Sequence, residues 1–167
     1  MPTFGRKPLL TAEGLVEAAQ IYRIYFHGPA YQVVEKAWWD GEHMVGELVA
    51  DLPDECTPAD RETVAGPRLI ELCFQTAGLW EIAAQAKMGL PWQVGSVSWV
   101  RQPEAAERQV YAVITPHAEQ GSFDAEVVDG DGNRYLQLTG YRTATLPSNV
   151  DSDPLKPLHD AVSQAVS

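Results

Sequence analysis

Residues 66–88 read GPRLIELCFQTAGLWEIAAQAKM, and the pattern in this stretch decides the fold. Pro67 suits the first helical position, where its missing N–H is not needed. Leu69, Ile70, Cys73, Phe74, Ala77, Trp80, Ala84 and Met88 then recur at helical spacing and form a broad apolar face. Gly89-Leu90-Pro91 ends the pattern. A single helix that is apolar over so much of its circumference has to be surrounded, and the rest of the chain must supply the cover.

Working outward, the flanking segments read mostly as β. Tyr31–Trp39 and Glu42–Ala50 are β-rich runs around Asp40-Gly41, a hairpin signal. Four further runs, over 92–100, 108–116, 122–129 and 134–145, follow the helix, the last two joined by the turn-rich DGDGN at 129–133. Residues 51–65 are polar, hold two prolines and read as a loop. Thr11 to about Tyr25 reads as a helix, with Thr11 as N-cap and Leu15, Ala18, Ala19 and Tyr22 on one face. The architecture expected is α+β: a hot-dog fold, an antiparallel sheet wrapped around one long central helix. Its divisions are an N-terminal segment with a helix (1–26), the hot-dog domain (27–146) and a polar tail, linker or weak terminal helix (147–167). One such sheet leaves a surface that must pair, so a homodimer or a second hot-dog half is expected.

Composition narrows the functions. A net charge of −11 with no Lys/Arg cluster argues against nucleic acid and against an anionic membrane surface. No apolar run approaches the roughly 20 residues of a membrane span, and MPTFGRKPLL lacks a secretory h-region, so a cytoplasmic setting is expected. Cys56 and Cys73 lack metal-ligand spacing, and Cys73 falls on the apolar helix face as a small core residue. Asp129, Asp131 and Asn133 imitate the start of a calcium loop, but Arg134 and Gly140 stand where Gly and Glu are required. No metal is expected.

The chemistry-bearing spacing is Glu71-x-x-x-Gln75, which puts a carboxyl and an amide on one edge of the central helix. The helix dipole favours an ionised Glu71, whereas apolar Leu72, Phe74 and Trp80 disfavour it. A carboxyl held near neutrality can protonate a leaving hydroxyl, and Gln75 can orient it or a water. The plainer reading is a dipole partner with a helical glutamine. His27, in the Gly-Pro turn, is a local base or a tunnel-mouth residue. His43, His117 and His159 are expected to be solvated, and the aromatics Tyr25, Tyr31, Trp38, Trp39, Trp80, Trp92 and Trp99 to serve core, interface or an acyl channel.

Two motifs carry a family resemblance. Gly66-Pro67-Arg68-Leu69-Ile70-Glu71-Leu72-Cys73-Phe74-Gln75 is similar to the P-G-x-x-x-x-E-x-x-x-Q helix of free-standing β-hydroxyacyl carrier-protein dehydratases. It also resembles the H-P-x-x-x-D-x-x-x-Q/H helix in the second half of polyketide synthase dehydratases. Tyr25-Phe26-His27-Gly28-Pro29-Ala30-Tyr31-Gln32 looks like the Y-G-P-x-F/Y motif that opens that second half. Over roughly residues 20–146 the chain therefore resembles the C-terminal hot-dog half of a polyketide synthase, or polyunsaturated fatty acid synthase, dehydratase domain.

The resemblance implies dehydration of a β-hydroxyacyl thioester on an acyl carrier protein to the α,β-enoyl thioester. Glu71 takes the acid role and Gln75 supports it, while His27, Gly28, Pro29 and Tyr31 meet the substrate. No cofactor is implied beyond the phosphopantetheine that carries the substrate. The family's base histidine, from H-x-x-x-G-x-x-x-x-P, has no counterpart here, and residues 51–70 hold no histidine. The chain thus reads as half a site, completed by a partner. A non-catalytic half for pairing or acyl binding is the alternative, and a hot-dog thioesterase a weaker one. An acidic carrier protein would be repelled in free encounter, and tethering removes that difficulty.

Overall fold

A computed structural model describes residues 4–10, 14–51, 62–103, 109–147 and 150–165. In chain order the elements are β1 (Val16–Glu17), α1 (Ala18–Ile21), β2 (Val34–Trp39), β3 (Met44–Leu48) and α2 (Glu62–Gln85). They continue with β4 (Gly89–Gln93), β5 (Ser96–Trp99), β6 (Val110–His117), β7 (Ser122–Asp129), β8 (Arg134–Thr145) and α3 (Lys156–Ala165). The strands form one antiparallel sheet in the order β1-β2-β3-β6-β7-β8-β4, with β5 also paired to β8. The sheet curves around α2, which packs against β2, β3, β4, β6 and β7. This is the hot-dog arrangement.

Every residue from 75 to 83 is buried, about two and a half turns without a solvent face. The sheet covers one side, and α3 covers the other. Leu155, Leu158 and Val162 form a short apolar stripe in an otherwise polar tail, and all three are buried. His159 Nδ1 also lies 2.7 Å from the Ala83 carbonyl. The polar tail expected from composition is thus a helix docked on α2, because three spaced apolar residues suffice to close the core. Among the described residues no helix is long and apolar enough to cross a membrane.

The hairpin falls where Asp40-Gly41 placed it. Trp39 pairs with Met44, Asp40 Oδ1 accepts the backbone N–H groups of Glu42 and His43, and Gly41 has φ +104°. The β-rich runs after the helix also match, except that 92–100 is two strands. Gly140 (φ +65°) bends β8, and Gly95 lies against the Thr139 carbonyl, where a Cβ would come within 2.9 Å. The edge strand therefore breaks between β4 and β5.

Three expectations need correction. Among the described residues, the helix expected over Thr11–Tyr25 is confined to Ala18–Ile21, because Gly14 turns left-handed at φ +67° and Val16–Glu17 pair with β2 instead. The central helix begins at Glu62, so Pro67 sits in its second turn, where a proline removes only one backbone bond. His43 is buried between Arg6 and Asp40 rather than solvated. Residues 52–61, including Cys56, and residues 11–13 lie outside the described residues; Cys73 is in the core as expected.

The helix approaches the sheet closely at Gly46 of β3, where a Cβ would fall 2.2 Å from Thr76 Oγ1. Gly46→Ala is therefore expected to destabilise the fold by about 1–3 kcal/mol in urea unfolding. Thr76→Ala in the same chain should recover part of that loss. An unchanged midpoint for Gly46→Ala would contradict the close approach.

Candidate functional site

On α2, Glu71, Phe74, Gln75 and Gly78 follow one another along one face. Opposite them runs the turn from Tyr25 to Tyr31, which ends in a short 3-10 turn at Pro29–Tyr31. The turn is pinned to the helix by Arg68, whose Nη1 donates to the Ala30 carbonyl, and by Tyr25, whose hydroxyl donates to the Gln75 carbonyl at 2.8 Å. Gly78 is required there, since a Cβ would meet the Tyr25 hydroxyl at 2.5 Å. Between turn and helix lies a small cleft of about 40 Å³, open to solvent. Its walls include His27, Glu71, Phe74 and Gln75, with Gly89, Leu90 and Pro91 of β4 across from them.

Gln75 organises this cleft. Its side chain is buried and makes three hydrogen bonds: Nε2 to the Tyr31 carbonyl (2.7 Å), Nε2 to Glu71 Oε1 (2.9 Å), and Oε1 from the Tyr22 hydroxyl (2.7 Å). The Tyr22 oxygen in turn accepts the Val34 N–H at 2.8 Å. A carbonyl can only accept, so the Tyr31 carbonyl fixes which end of the amide is nitrogen. Burial first, and the Glu71 charge further, push the Tyr22 phenol well above its ordinary value, against the Val34 N–H and Arg68, which lower it. Its proton therefore stays in place to donate.

His27 Nε2 lies 3.1 Å from the same Glu71 oxygen. The imidazole is held by Phe26, stacked at 5.6 Å, and by the edge-on Tyr25 ring at 5.3 Å. His27 Nδ1 is buried with no partner among the described residues. The tautomer that leaves no buried N–H unpaired carries its hydrogen on Nε2 and donates it to Glu71. Oε1 of Glu71 thus receives two N–H groups, whereas Oε2 carries no hydrogen bond among the described residues. If the carboxyl carries a proton, that proton belongs on Oε2.

The structure brings His27, Glu71 and Gln75 together in one cleft. Gly28, Pro29 and Tyr31, the other residues expected to meet substrate, shape the turn, and none is in the cleft's described lining. Tyr31 acts through its carbonyl while its side chain is 44% exposed. Tyr22 is the site residue the periodicity missed. A phenol on an apolar stripe and an amide inside an apolar helix each need a polar partner, and that shared need was the available signal.

Further along α2, Glu81 is 9% exposed and accepts the Thr143 hydroxyl on Oε1 at 2.5 Å. Burial raises its carboxyl above the ordinary value, opposed by that hydrogen bond and by the Lys87 charge. At the 129–133 turn, burial alone would raise Asp129, but hydrogen bonds from Asn133 and the Asp131 N–H outweigh it and lower the carboxyl. Those donors occupy the oxygens that a calcium loop would use. Among the described residues no group of three metal-ligating side chains comes together.

The family model that matches is the polyketide synthase dehydratase N-terminal domain, over residues 17–153. The chain belongs to the polyketide synthase dehydratase family. The motifs resembled the C-terminal half, whereas the matching description names the N-terminal domain. No curated protein matches the chain. Among solved structures, it is similar to the dehydratase domain from the CurF module of the curacin polyketide synthase, at 22% identity and TM-score 0.64. That likeness covers 79% of this chain and 48% of the other. A dehydratase studied for substrate selection in the borrelidin and fluvirucin synthases gives 21% identity and TM-score 0.63, covering 89% and 52%. A trans-AT dehydratase domain from Brevibacillus brevis gives 18% and 0.61, covering 79% and 48%. The chain spans about half the length of these solved relatives, which carry the same fold.

The Glu81 carboxyl makes a pH prediction for this dehydratase-family chain. The folded state holds its proton more tightly than the unfolded chain. That contribution to stability is complete below the ordinary value of 4.5 and is lost as pH rises through the raised one. Glu81→Gln should therefore raise the melting temperature relative to wild type at about pH 8 and leave it nearly unchanged at about pH 4. Equal shifts at both pH values would contradict a buried ionisable group as the cause.

Proposed function

We propose that this chain supplies the carboxylic-acid half of a β-hydroxyacyl thioester dehydratase, a hydro-lyase acting on an acyl chain carried by phosphopantetheine. The carrying observation is the Glu71 carboxyl at the cleft wall, with Oε1 held by Gln75 and His27 and Oε2 left for the substrate. In the reaction, a base takes the α-proton, and the electrons of that C–H bond form the new C=C. The β-C–O bond breaks as Oε2 gives its proton to the departing oxygen, releasing water and the enoyl thioester. Return of the α-proton to Glu71 resets both groups.

The base comes from a second hot-dog half, in keeping with a chain half as long as its solved relatives. The place for that half is the outer edge of the sheet, where β4 and β5 pair only with β8 among the described residues and Trp92 (74% exposed) and Trp99 (44%) stand out. Leu90 and Pro91 of β4 also line the cleft, so a module seated on this edge reaches the site. Motif order supports the C-terminal position for this chain, against the N-terminal label of the matching family. The acyl carrier protein is the substrate's donor, brought to an acidic chain by tethering. A non-catalytic pairing role would use the same edge but would give Glu71 no task.

Two outcomes are expected. In a dehydration assay on a β-hydroxyacyl thioester, the chain alone is nearly inactive, and adding the half that carries the H-x-x-x-G-x-x-x-x-P motif restores turnover. Glu71→Gln then lowers kcat of the assembly by about 10²–10⁴-fold. A variant as active as wild type would remove Glu71 from the mechanism. Replacing Trp92 and Trp99 by Ser should weaken association of the halves by at least about tenfold in sedimentation or calorimetry, with the fold intact by circular dichroism. Unchanged association would place the interface elsewhere.

A further inference from the structure

The cleft that holds Glu71 is blind at one end. Phe26 and Leu90 in its lining are exposed and mark the mouth, whereas Tyr25, Met88 and Tyr141 are buried and mark the floor. The two lining glycines, Gly78 and Gly89, open no way further in. The space beside Gly78 is filled by the Tyr25 hydroxyl and that beside Gly89 by Glu81 and Thr143, each 2.5 Å from where a Cβ would lie. Behind Tyr141 the Phe123 ring follows at 6.0 Å, and Trp80 stands edge-on to Phe123 at 5.7 Å. Phe74 lies three residues beyond Glu71 on α2, about 4.5 Å along the helix axis. Its ring borders the cleft and stacks on Tyr141 at 4.5 Å and 21°.

We infer that Phe74, stacked on Tyr141, is the specificity-determining residue that limits acyl length, and that the site takes a short β-hydroxyacyl thioester. The inference rests on reading the cleft as an acyl cleft, and it adds the class of acyl chain. A substrate tethered to a carrier protein must keep its thioester at the mouth, so only the acyl end goes in. With the β-oxygen at Glu71, the carbons past the β-position take the deep end. One water-sized group needs about 10–15 Å³, so a cleft of about 40 Å³ takes about three non-hydrogen atoms there. A longer chain has to turn back toward the mouth or displace the Phe74 ring, which gives up the stacked contact with Tyr141. The other aromatic walls are tied into the fold: Tyr25 holds the Gln75 carbonyl, and Tyr141 pairs with Phe123 across β7 and β8. Phe74 is half-buried, and its ring is the part of the wall that can be cut back.

Calorimetric binding of straight-chain β-hydroxyacyl amides of aminopantetheine, four to ten carbons long, to the full chain tests this without requiring turnover. Wild-type affinity is expected to rise about fourfold per added methylene up to six carbons, the yield of burying each one, and no further at eight or ten. Phe74→Ala should move that limit outward, so that the eight-carbon ligand binds at least about tenfold more tightly than the six-carbon one. Phe74→Leu, milder for the fold, should place the limit in between. A wild-type affinity that climbs steadily through ten carbons overturns the inference while the acyl reading stands. A six-carbon limit that stays in place in both variants, folded by circular dichroism, also overturns it. No binding of any ligand overturns both.

Discussion

A buried amide at the start of a fully covered stretch of helix must find its partners inside the protein, and the organisation of the cleft follows from how Gln75 does so. Its nitrogen ties the Tyr31 carbonyl of the Gly-Pro turn to Glu71, and its oxygen takes the hydroxyl of Tyr22. Its own backbone carbonyl takes the hydroxyl of Tyr25. One buried side chain thereby sets the distance between turn and helix. Removing it would strand several polar groups at once, each carrying a desolvation penalty of about 1–3 kcal/mol. The orientation of Glu71 is a consequence: the oxygen facing Gln75 is committed, and the other is free for chemistry.

The same constraint explains why the helix is wrapped so completely. With residues 75–83 all buried, water approaches this stretch only through the cleft, and the sheet and α3 cover it on both sides. Glycines mark where the wrapping is tightest: Gly46 admits Thr76, Gly78 admits Tyr25, and Gly89 admits Glu81 and Thr143. Two of the three border the cleft. Packing density and site geometry are therefore one design here, with backbone brought close to polar groups that would otherwise be held apart by a methyl.

Much of this was legible in the residues because the signals were local. The central helix, the Asp40-Gly41 hairpin and the run of antiparallel strands rest on periodicity and turn chemistry, and the E-x-x-x-Q spacing alone places Glu71 beside Gln75. What stayed hidden depends on distant partners. A strand of two residues, Val16–Glu17, exists only because β2 offers it an edge. The tail helix exists because α2 has an uncovered side for Leu155, Leu158 and Val162. The burial of His43 needs Arg6, and the bond between His27 and Glu71 spans elements that no spacing rule connects. The split of the edge strand at Gly95 likewise depends on the bend at Gly140 across the ladder. Resemblance reached the right family but assigned the opposite half from the one the matching description names.

The central claim is that Glu71 presents its uncommitted oxygen to the β-hydroxyl of an acyl substrate. A crystal structure of the chain assembled with its second half and an unreactive β-hydroxyacyl amide tests it most directly. The account predicts the β-oxygen within hydrogen-bond distance of Glu71 Oε2, about 2.5–3.0 Å, with Oε1 still held by Gln75 and His27. A ligand seated in the cleft with its β-oxygen held by other groups, and Glu71 turned away from it, would contradict the account.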